Sequence, residues 1–463
     1  MSPDPFDPAE FAADFQQFLT SFARLIPAES NELRERVTAH LGIDPSGLSS
    51  VTEQLDPSEH PNLQLAFNAL SESRPWEVIG LPGDIRNYGG FSLVSLVGGR
   101  FAGNIVATPV EYVNVAIAVD QTLPCVMVGL HLAWLDDQPV VALLLFGAEH
   151  GPRQGLSLEV MAPDPEVTAR FIARVTALMR EHNVYRGKLL AYTFSEFGRV
   201  ALSFVELPVI SRDDIVLPHA DLEAIERHTI AITERADMLR AAGRHLKRGL
   251  LLYGPPGTGK TLSVMYLCNQ MPERTTVLLT GPAISALGRA VAIARDLQPA
   301  TVVLEDVDLV AMERTMPGMS NNPVLFQLLN EMDGLSNDAD IIFILTTNRA
   351  ELLEPALAAR PGRIDQAIEI RLPDTEGRRQ LLELYLNGTV HTVEDLDTVA
   401  ARIEGTSPAF IKELIRRAVL IATDADIEAS LTDQHLNDAV TDLLEHSTPL
   451  ARSILGAGGP VET

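Results

Sequence analysis

The segment that most restricts the fold of this chain is rich in glycine and directly follows the apolar run Leu250–Tyr253. A strand, such a loop and then a helix are typical of P-loop phosphate sites. The glycines let backbone N–H groups curl toward phosphate oxygens, and the helix adds its positive N-terminal end. We expect Lys260 to reach the β- and γ-phosphates and Thr261 to offer its hydroxyl to Mg²⁺. The predicted contacts are Gly254, Pro255, Pro256, Gly257, Thr258, Gly259, Lys260, Thr261 and Leu262.

A second apolar run ends in the carboxylates that nucleotide hydrolysis requires. Val302–Leu304 precedes Glu305 and Asp306, and Asp308 follows shortly after. Hydrolysis needs one carboxylate near Mg²⁺ and another that orients or deprotonates the attacking water. We assign Glu305 to the metal shell, together with Thr261, and Asp306 to the water. Asp308 could instead orient a neighbouring loop or an arginine.

Together these segments resemble the AAA module of the AAA+ superfamily, over residues 213–445. Leu328–Leu335 (LLNEMDGL) matches the end of a characteristic AAA helix, and Thr346-Thr347-Asn348 matches the polar sensor segment. The resemblance implies that Asn348 positions the attacking water and senses the γ-phosphate. It also implies a ring of subunits, expected to be a hexamer.

The resemblance extends to two further parts of the nucleotide site: the arginines that contact the nucleotide of an adjacent subunit, and the residues on the adenine side. Glu354–Leu357 followed by Arg360–Asp365 resembles the second region of homology, whose paired arginines reach the nucleotide of the adjacent subunit. The resemblance gives this role to Arg360 and Arg363, and a guanidinium suits it because its charge is permanent and its donors are planar. On the adenine side, the resemblance assigns Val216 and Ala409.

The order Glu305–Asp306 and the residues Leu246–Tyr253 resemble the branch that contains the mitochondrial AAA translocase of the Rieske protein, and uncharacterised bacterial relatives. Other features depart from the family. Ala286-Leu287-Gly288 stands where unfoldases of the family carry an aromatic pore tripeptide, so tight threading of a client is in doubt. Ala358-Ala359 contains one extra residue before the arginines, and no His-Glu-x-x-His motif of the metalloprotease branch is present. The stretch Met312–Met319 is either a second pore-facing loop or a mobile loop.

Composition restricts the partners that we expect. The net charge is −26 at pH 7, and we find no cluster of Lys and Arg of the kind that nucleic-acid binding requires. Cys125 and Cys268 predict neither a disulfide nor a metal site. The acidic N-terminus does not resemble a signal peptide, and the most apolar stretch, Leu123–Phe146, is interrupted by polar residues. We therefore expect a cytoplasmic protein that neither binds nucleic acid nor inserts into a membrane.

The pattern along the chain predicts an α/β P-loop NTPase fold, with a parallel sheet between helices and a C-terminal helical lid, preceded by an α+β N-terminal domain. Residues 8–43 have a helical apolar face, for packing or for docking a partner, and residues 44–75 resemble a loop with a short helix. Strands are predicted at 91–97, 188–193 and 201–206, among others, and a helix at 165–183. The expected parts are a helical segment at 1–75, an N-terminal client or regulatory domain at 76–210, the ATPase subdomain at 211–372, the lid at 373–447 and a flexible tail at 448–463.

The sequence thus predicts an ATP-hydrolysing protein with ATP and Mg²⁺ as cofactors. It would couple hydrolysis in a homo-oligomeric ring to the remodelling, disassembly or translocation of a protein client. A nucleotide-switched scaffold that does little mechanical work is an alternative. A nucleic-acid motor is a weaker alternative, because the chain is acidic.

Overall fold

The computed structural model describes residues 32–82, 92–98, 105–147, 155–194, 200–308, 323–336, 338–351, 363–425 and 430–444. The chain divides into two compact units, Met1–Val184 and Tyr185–Thr463.

The first unit is built on an antiparallel sheet of six strands. The strand order is β1-β6-β5-β4-β2, and β3 pairs with β4 beside β2. The strands are β1 (Ser50–Leu55), β2 (Glu77–Gly80), β3 (Glu111–Ala116), β4 (Thr122–Leu135), β5 (Gln138–Phe146) and β6 (Leu156–Met161). The helices are α1 (Glu32–Leu41), α2 (His60–Ser73), α3 (Leu93–Gly98) and α4 (Pro165–Glu181).

Both faces of this sheet are covered, which explains the continuous apolar run of β5. Val140, Ala142 and Leu144 pack in one core with residues of α2 and α4. Their neighbours Val141 and Leu143 pack in a second core with residues of α1 and α3. Successive side chains of a strand point to opposite faces, so a strand covered on both sides is apolar throughout.

The second unit contains a seven-stranded sheet in the order β13-β9-β12-β11-β10-β7-β8. All neighbouring strands are parallel except β7 and β8, which form an antiparallel pair. The strands are β7 (Leu189–Phe194), β8 (Val200–Phe204), β9 (Arg248–Tyr253), β10 (Thr275–Thr280), β11 (Ala300–Glu305), β12 (Ile341–Thr347) and β13 (Gln366–Glu369). The helices among them are α5 (His219–His228), α6 (Ile230–Glu234), α7 (Ala236–Ala241), α8 (Lys260–Gln270), α9 (Leu287–Asp296) and α10 (Pro323–Asp333).

A separate helical lid follows the sheet and has its own core. Phe410, Leu414 and Leu436 are fully buried there, and Val216, from the segment before α5, packs against the same core. The lid helices are α11 (Thr375–Leu386), α12 (Leu396–Arg402), α13 (Pro408–Ala425) and α14 (Asp433–Leu444). The P-loop NTPase fold with a helical lid and a preceding α+β region is confirmed.

The structure divides the chain earlier than the expected boundary at residue 210. The strands that we predicted at 188–193 and 201–206 are β7 and β8, and they extend the parallel sheet of the second unit instead of the N-terminal sheet. Leu189–Ala191 pair with Thr276–Leu278 of β10. A strand pattern in a sequence predicts an extended segment, but it carries no information on which strand will be its hydrogen-bonding partner.

Two local predictions for the first unit were wrong. The expected strand at 91–97 is the short helix α3, whose residues Leu93, Leu96 and Val97 are buried on one side. The helix expected within 44–75 is present as α2, which is longer than predicted, but the expected loop before it contains β1, which pairs with β6. Most of β1 is exposed, so its sequence lacks the alternation that identifies a half-buried strand. Of the expected helix at 8–43, only α1 lies within the described residues.

His131 is fully buried in the first unit, and neither of its ring nitrogens has a hydrogen-bond partner among the described residues. Its ring packs edge-on against Phe67, with 4.6 Å between the centroids. Burial lowers the pKa of His131 from 6.5 to about 3. The unfolded chain therefore binds a proton below pH 6.5 that the folded unit excludes. The contribution of this neutral imidazole to stability is complete above that pH and is lost as the pH falls toward 3.

We predict that His131→Phe makes the first unit less sensitive to acid. Relative to the variant, the wild type should lose about 1.4 kcal/mol of unfolding free energy per pH unit within this window. Both tryptophans of the chain, Trp76 and Trp134, belong to the first unit, so urea unfolding followed by their fluorescence measures this unit selectively. The matched control is the exposed His182→Phe, which should keep the wild-type slope. Equal slopes for wild type and His131→Phe would contradict the prediction.

Candidate nucleotide site

The glycine-rich loop joins the C-terminal end of β9 to the start of α8. Because β9 lies between β12 and β13 in a parallel sheet, the loop is at the edge where the neighbouring strands also end. Gly257 and Gly259 have φ angles of 76° and 99°, in the left-handed region that favours glycine. The loop and the first turn of α8 line a cavity of about 430 Å³. Of the predicted contacts, those that line it are Pro256, Gly257, Thr258, Gly259, Lys260, Thr261 and Leu262.

The lid packs so closely against the loop that one glycine cannot be replaced without a shift. A Cβ atom on Gly257 would lie 2.9 Å from Ser407 Oγ and 3.0 Å from Ala409 Cβ. The Ala409 N–H donates to the Gly257 carbonyl at 3.2 Å. Ala409, which we predicted on the adenine side, thus both lines the cavity and ties the lid helix to the phosphate loop.

Two backbone carbonyls at the start of the phosphate loop hold the Lys260 side chain in place. The ammonium donates to the carbonyls of Gly254 at 2.9 Å and Pro255 at 2.8 Å. These two predicted contact residues therefore touch Lys260 and do not line the cavity. Burial lowers the pKa of Lys260, and the charges of Asp306 and Asp308 act in the opposite direction. The site therefore contains a desolvated cation that faces two carboxylates.

Glu305 ends β11 beside the first turn of α8. Its Oε1 atom is buried, and no residue in the described part of the chain forms a hydrogen bond with it. Burial raises the pKa of Glu305, the Thr261 hydroxyl that donates to the carboxylate lowers it, and the charge of Asp306 raises it further. A carboxylate and a hydroxyl are the oxygen ligands that suit Mg²⁺, which usually completes its shell with phosphate and water. The two residues therefore fit the predicted metal shell, in which the buried Glu305 oxygen would be a ligand.

Asp306 and Asn348 lie next to each other on the cavity wall. Asp306 has a φ angle of 50°, which is uncommon for a residue other than glycine. Its N–H donates to Thr346 Oγ1 at 2.9 Å, and Asn348 Nδ2 donates to Asp306 Oδ1 at 3.2 Å. These two hydrogen bonds hold Asp306 next to the polar end of β12. They explain why its backbone keeps the strained conformation.

Asp308 holds the polar segment after β12 in place. Its Oδ1 atom accepts hydrogen bonds from Thr347 Oγ1 at 2.9 Å and from the Asn348 N–H at 3.1 Å. Asp308 is only 3% exposed. Of the roles considered from the sequence, the contacts match the one in which Asp308 orients a neighbouring loop.

The far end of the cavity is mainly apolar and was only partly predicted. Val216 lines it as expected, with its neighbours Ile215 and Leu217. The lid also contributes residues that were not predicted from the sequence, namely Leu381, Tyr385 and Lys412. Leu381 and Tyr385 are four residues apart on α11 and so share one helix face. This spacing is a signal in the sequence, but it does not identify what the face contacts.

The structure describes one of the two arginines that we predicted at the site. Arg360 and the stretch Met312–Met319 lie outside the described residues. Arg363 lies outside the cavity of its own chain and forms a two-point ion pair with Asp333, through Nε and Nη2. Its side chain is 19% exposed.

The tripeptide Ala286-Leu287-Gly288 is at a junction between a 3₁₀ turn and α9. Leu287 is fully buried and Ala286 is 5% exposed. In this chain these two side chains are therefore part of the core and are not offered to a partner.

Residues 250–372 match the profile of the ATPase family associated with various cellular activities (AAA). The chain is 31% identical to proteasome-activating nucleotidase 2 of Haloferax volcanii over 252 residues, which cover 50% of this chain and 61% of the relative. It is 31% identical to a cell division cycle protein 48 homolog of Archaeoglobus fulgidus, covering 52% and 34%. It is 32% identical to the ATP-dependent zinc metalloprotease FtsH of Mycoplasmoides gallisepticum, covering 46% and 30%. The similarity thus lies in an AAA ATPase domain, and the chain spans less than two thirds of each of these relatives.

No helix among the described residues combines the length and the apolar character that a membrane crossing needs. The same part of the chain contains no group of three or more His, Cys, Asp or Glu side chains arranged around a possible metal ion.

We predict that Lys260→Ala weakens the binding of ATP by at least about tenfold, because the phosphates lose a charge-assisted hydrogen bond. Isothermal titration calorimetry measures the dissociation constant, and circular dichroism checks that the variant is folded. Lys188→Ala, at an exposed position of the same unit, is the matched control and should bind as the wild type does. Unchanged affinity in a folded Lys260→Ala protein would refute the assignment of the phosphate loop.

Proposed function

We propose that this chain, whose second unit contains an AAA ATPase domain, hydrolyses ATP and uses the energy to remodel a protein client. The observation that carries the proposal is the arrangement of a cation, two carboxylates and an amide around one cavity. Lys260, Asp306 and Asn348 line it, and Glu305 contacts Thr261 beside the loop. Phosphoryl transfer needs this combination of positive charge, metal ligands and a group that orients water.

The residues divide the work of hydrolysis by position. The backbone N–H groups of the loop and Lys260 bind and orient the phosphates. Thr261 and Glu305 would hold Mg²⁺, which when bound would supply positive charge to offset the charge of the transferred group. Asp306 orients the attacking water and accepts its proton, and Asn348 keeps the Asp306 carboxylate in place through the hydrogen bond at 3.2 Å.

Hydrolysis in this proposal requires a second copy of the chain. Arg363, and Arg360 with it, reach the nucleotide of the adjacent subunit, so the complete site forms only in a ring, which we propose to be a hexamer. Closed rings form when one surface of each subunit binds a different surface of the next. Within its own chain, the Arg363 side chain forms an ion pair with Asp333.

The proposed client is a protein, and its identity is open. The relatives include a proteasome-activating nucleotidase and an ATP-dependent metalloprotease, whose names connect ATP with work on proteins. The buried Leu287 favours disassembly or translocation over tight threading, since it offers no grip to a peptide. The resemblance to the Rieske-protein translocase branch and a cytoplasmic location are further parts of the proposal.

The main rival is a nucleotide-switched scaffold, which the buried tripeptide also favours. ATP-dependent release or unfolding of a bound client supports the remodelling protein. ATP hydrolysis that leaves the client unchanged supports the scaffold instead.

Two substitutions test the hydrolytic site. We expect Asp306→Asn to slow turnover by about 10²–10⁴-fold while ATP still binds, because the water loses its base. We expect Arg363→Ala to slow turnover by about 10³–10⁵-fold with binding intact. A coupled assay of phosphate release measures both, and Arg371→Ala, at an exposed arginine, is the control for Arg363.

Each of these two substitutions tests a different assignment. Wild-type turnover in Asp306→Asn would transfer the water-orienting role to Glu305. Wild-type turnover in Arg363→Ala would refute the shared site.

A further inference from the structure

One wall of the nucleotide cavity comes from a segment that precedes the AAA core. Asp214, Ile215, Val216 and Leu217 line the cavity directly after a 3₁₀ turn at Arg212–Asp214. A connecting segment has no sheet or long helix of its own to fix it. Its position relative to the phosphate loop therefore depends on side-chain contacts.

Glu226 of α5 makes these contacts. Its Oε1 atom accepts a hydrogen bond from Arg212 Nε at 2.9 Å and another from Tyr266 Oη at 2.7 Å. Arg212 begins the 3₁₀ turn, and Tyr266 belongs to α8, the helix that starts at Lys260. One carboxylate oxygen thus joins the cavity wall to the helix that carries the phosphate loop.

The surroundings make this junction stiff on both sides. Tyr266 is 3% exposed, and burial together with Glu226 raises the pKa of its hydroxyl to about 12, so it remains a donor at neutral pH. A second bond of α8, from Asn269 Nδ2 to the Pro208 carbonyl at 3.0 Å, holds the segment just before the turn. Within the turn, Ser211 donates to Asp214 Oδ2 through its N–H and its hydroxyl, both at 2.7 Å.

The cavity-lining segment Asp214–Leu217 packs against two different hydrophobic cores. Ile215 and Leu217 contact the core beneath the sheet, which also contains Tyr266. Val216 packs against the core of the lid. A displacement of the segment would therefore change the apolar end of the cavity and leave the phosphate loop as it is.

We propose that Glu226 is a positioning residue for the nucleobase end of the site, which it aligns with the phosphate loop through Arg212 and Tyr266. This inference rests on the proposed function. None of the three side chains lines the cavity, so they act through Asp214–Leu217 and not on the reacting atoms. Binding of the base and ribose should depend on Glu226, whereas the chemistry of the phosphates should not.

The test compares ATP with inorganic tripolyphosphate, which has the phosphates and lacks the nucleoside. In Glu226→Ala we expect the KM for ATP to rise about tenfold, the effect of losing hydrogen bonds to a charged group. We expect kcat to stay within about twofold, as for an interaction that is equal in ground and transition states. The dissociation constant of tripolyphosphate should equal that of the wild type.

Three further variants ensure that the conclusion does not rest on Glu226→Ala alone. Arg212→Met changes a side chain that is 47% exposed, so it should fold even if Glu226→Ala does not, and it should raise the KM for ATP in the same selective way. Glu226→Gln keeps an acceptor oxygen and should restore part of the affinity. Glu369→Ala removes an exposed carboxylate paired with Arg371 and is the matched control.

Four outcomes decide the inference. A selective loss of ATP affinity in Glu226→Ala and Arg212→Met supports it. Wild-type KM in both variants overturns it, and so does an equal loss of ATP and tripolyphosphate, which would mean general damage to the fold. If the wild type itself binds neither compound, the proposed function fails, and the inference fails with it.

Discussion

The close approach of the lid to the phosphate loop is the constraint on which the rest of the site depends. Gly257 has space for a hydrogen and no more beside Ser407 and Ala409, and its carbonyl accepts the first N–H contact from the lid helix. The parallel order of the sheet brings β9, β11 and β12 to the same edge. The phosphate loop, Asp306 and Asn348 therefore meet at one cavity because the strands that precede them end at the same edge of the sheet.

Two charged groups of the site are largely withdrawn from solvent. Lys260 donates to carbonyls of its own loop, and no described residue donates a hydrogen bond to the buried Glu305 Oε1 atom. A buried charge costs stability unless it is paired, so phosphates and a cation bound there would stabilise this part of the protein. Asp306, with its left-handed backbone, adds local strain at the position that we propose for orienting water.

The sequence was sufficient for the parts of the site that lie close together along the chain. The phosphate loop and the two acids could be predicted because each chemical role requires a residue type next to an apolar strand. Tyr385 and Lys412 could not, since the folding of the lid onto the loop is a long-range event with no local signal. The same reason applies to β7 and β8, which look like ordinary strands but join the second sheet. Leu93–Gly98 forms a helix with Leu93, Leu96 and Val97 buried, although its β-branched valines favour a strand.

The central claim, a catalytic site divided between two subunits, is tested most directly by mixing two inactive proteins. Asp306→Asn subunits retain Arg363, and Arg363→Ala subunits retain Asp306. When equal amounts are mixed under conditions that let rings exchange subunits, about a quarter of the interfaces should combine both intact residues if assembly is random. The account predicts that phosphate release, near zero for either protein alone, recovers to about a quarter of the wild-type rate in the mixture. No recovery from two folded, ATP-binding variants that exchange subunits would contradict it.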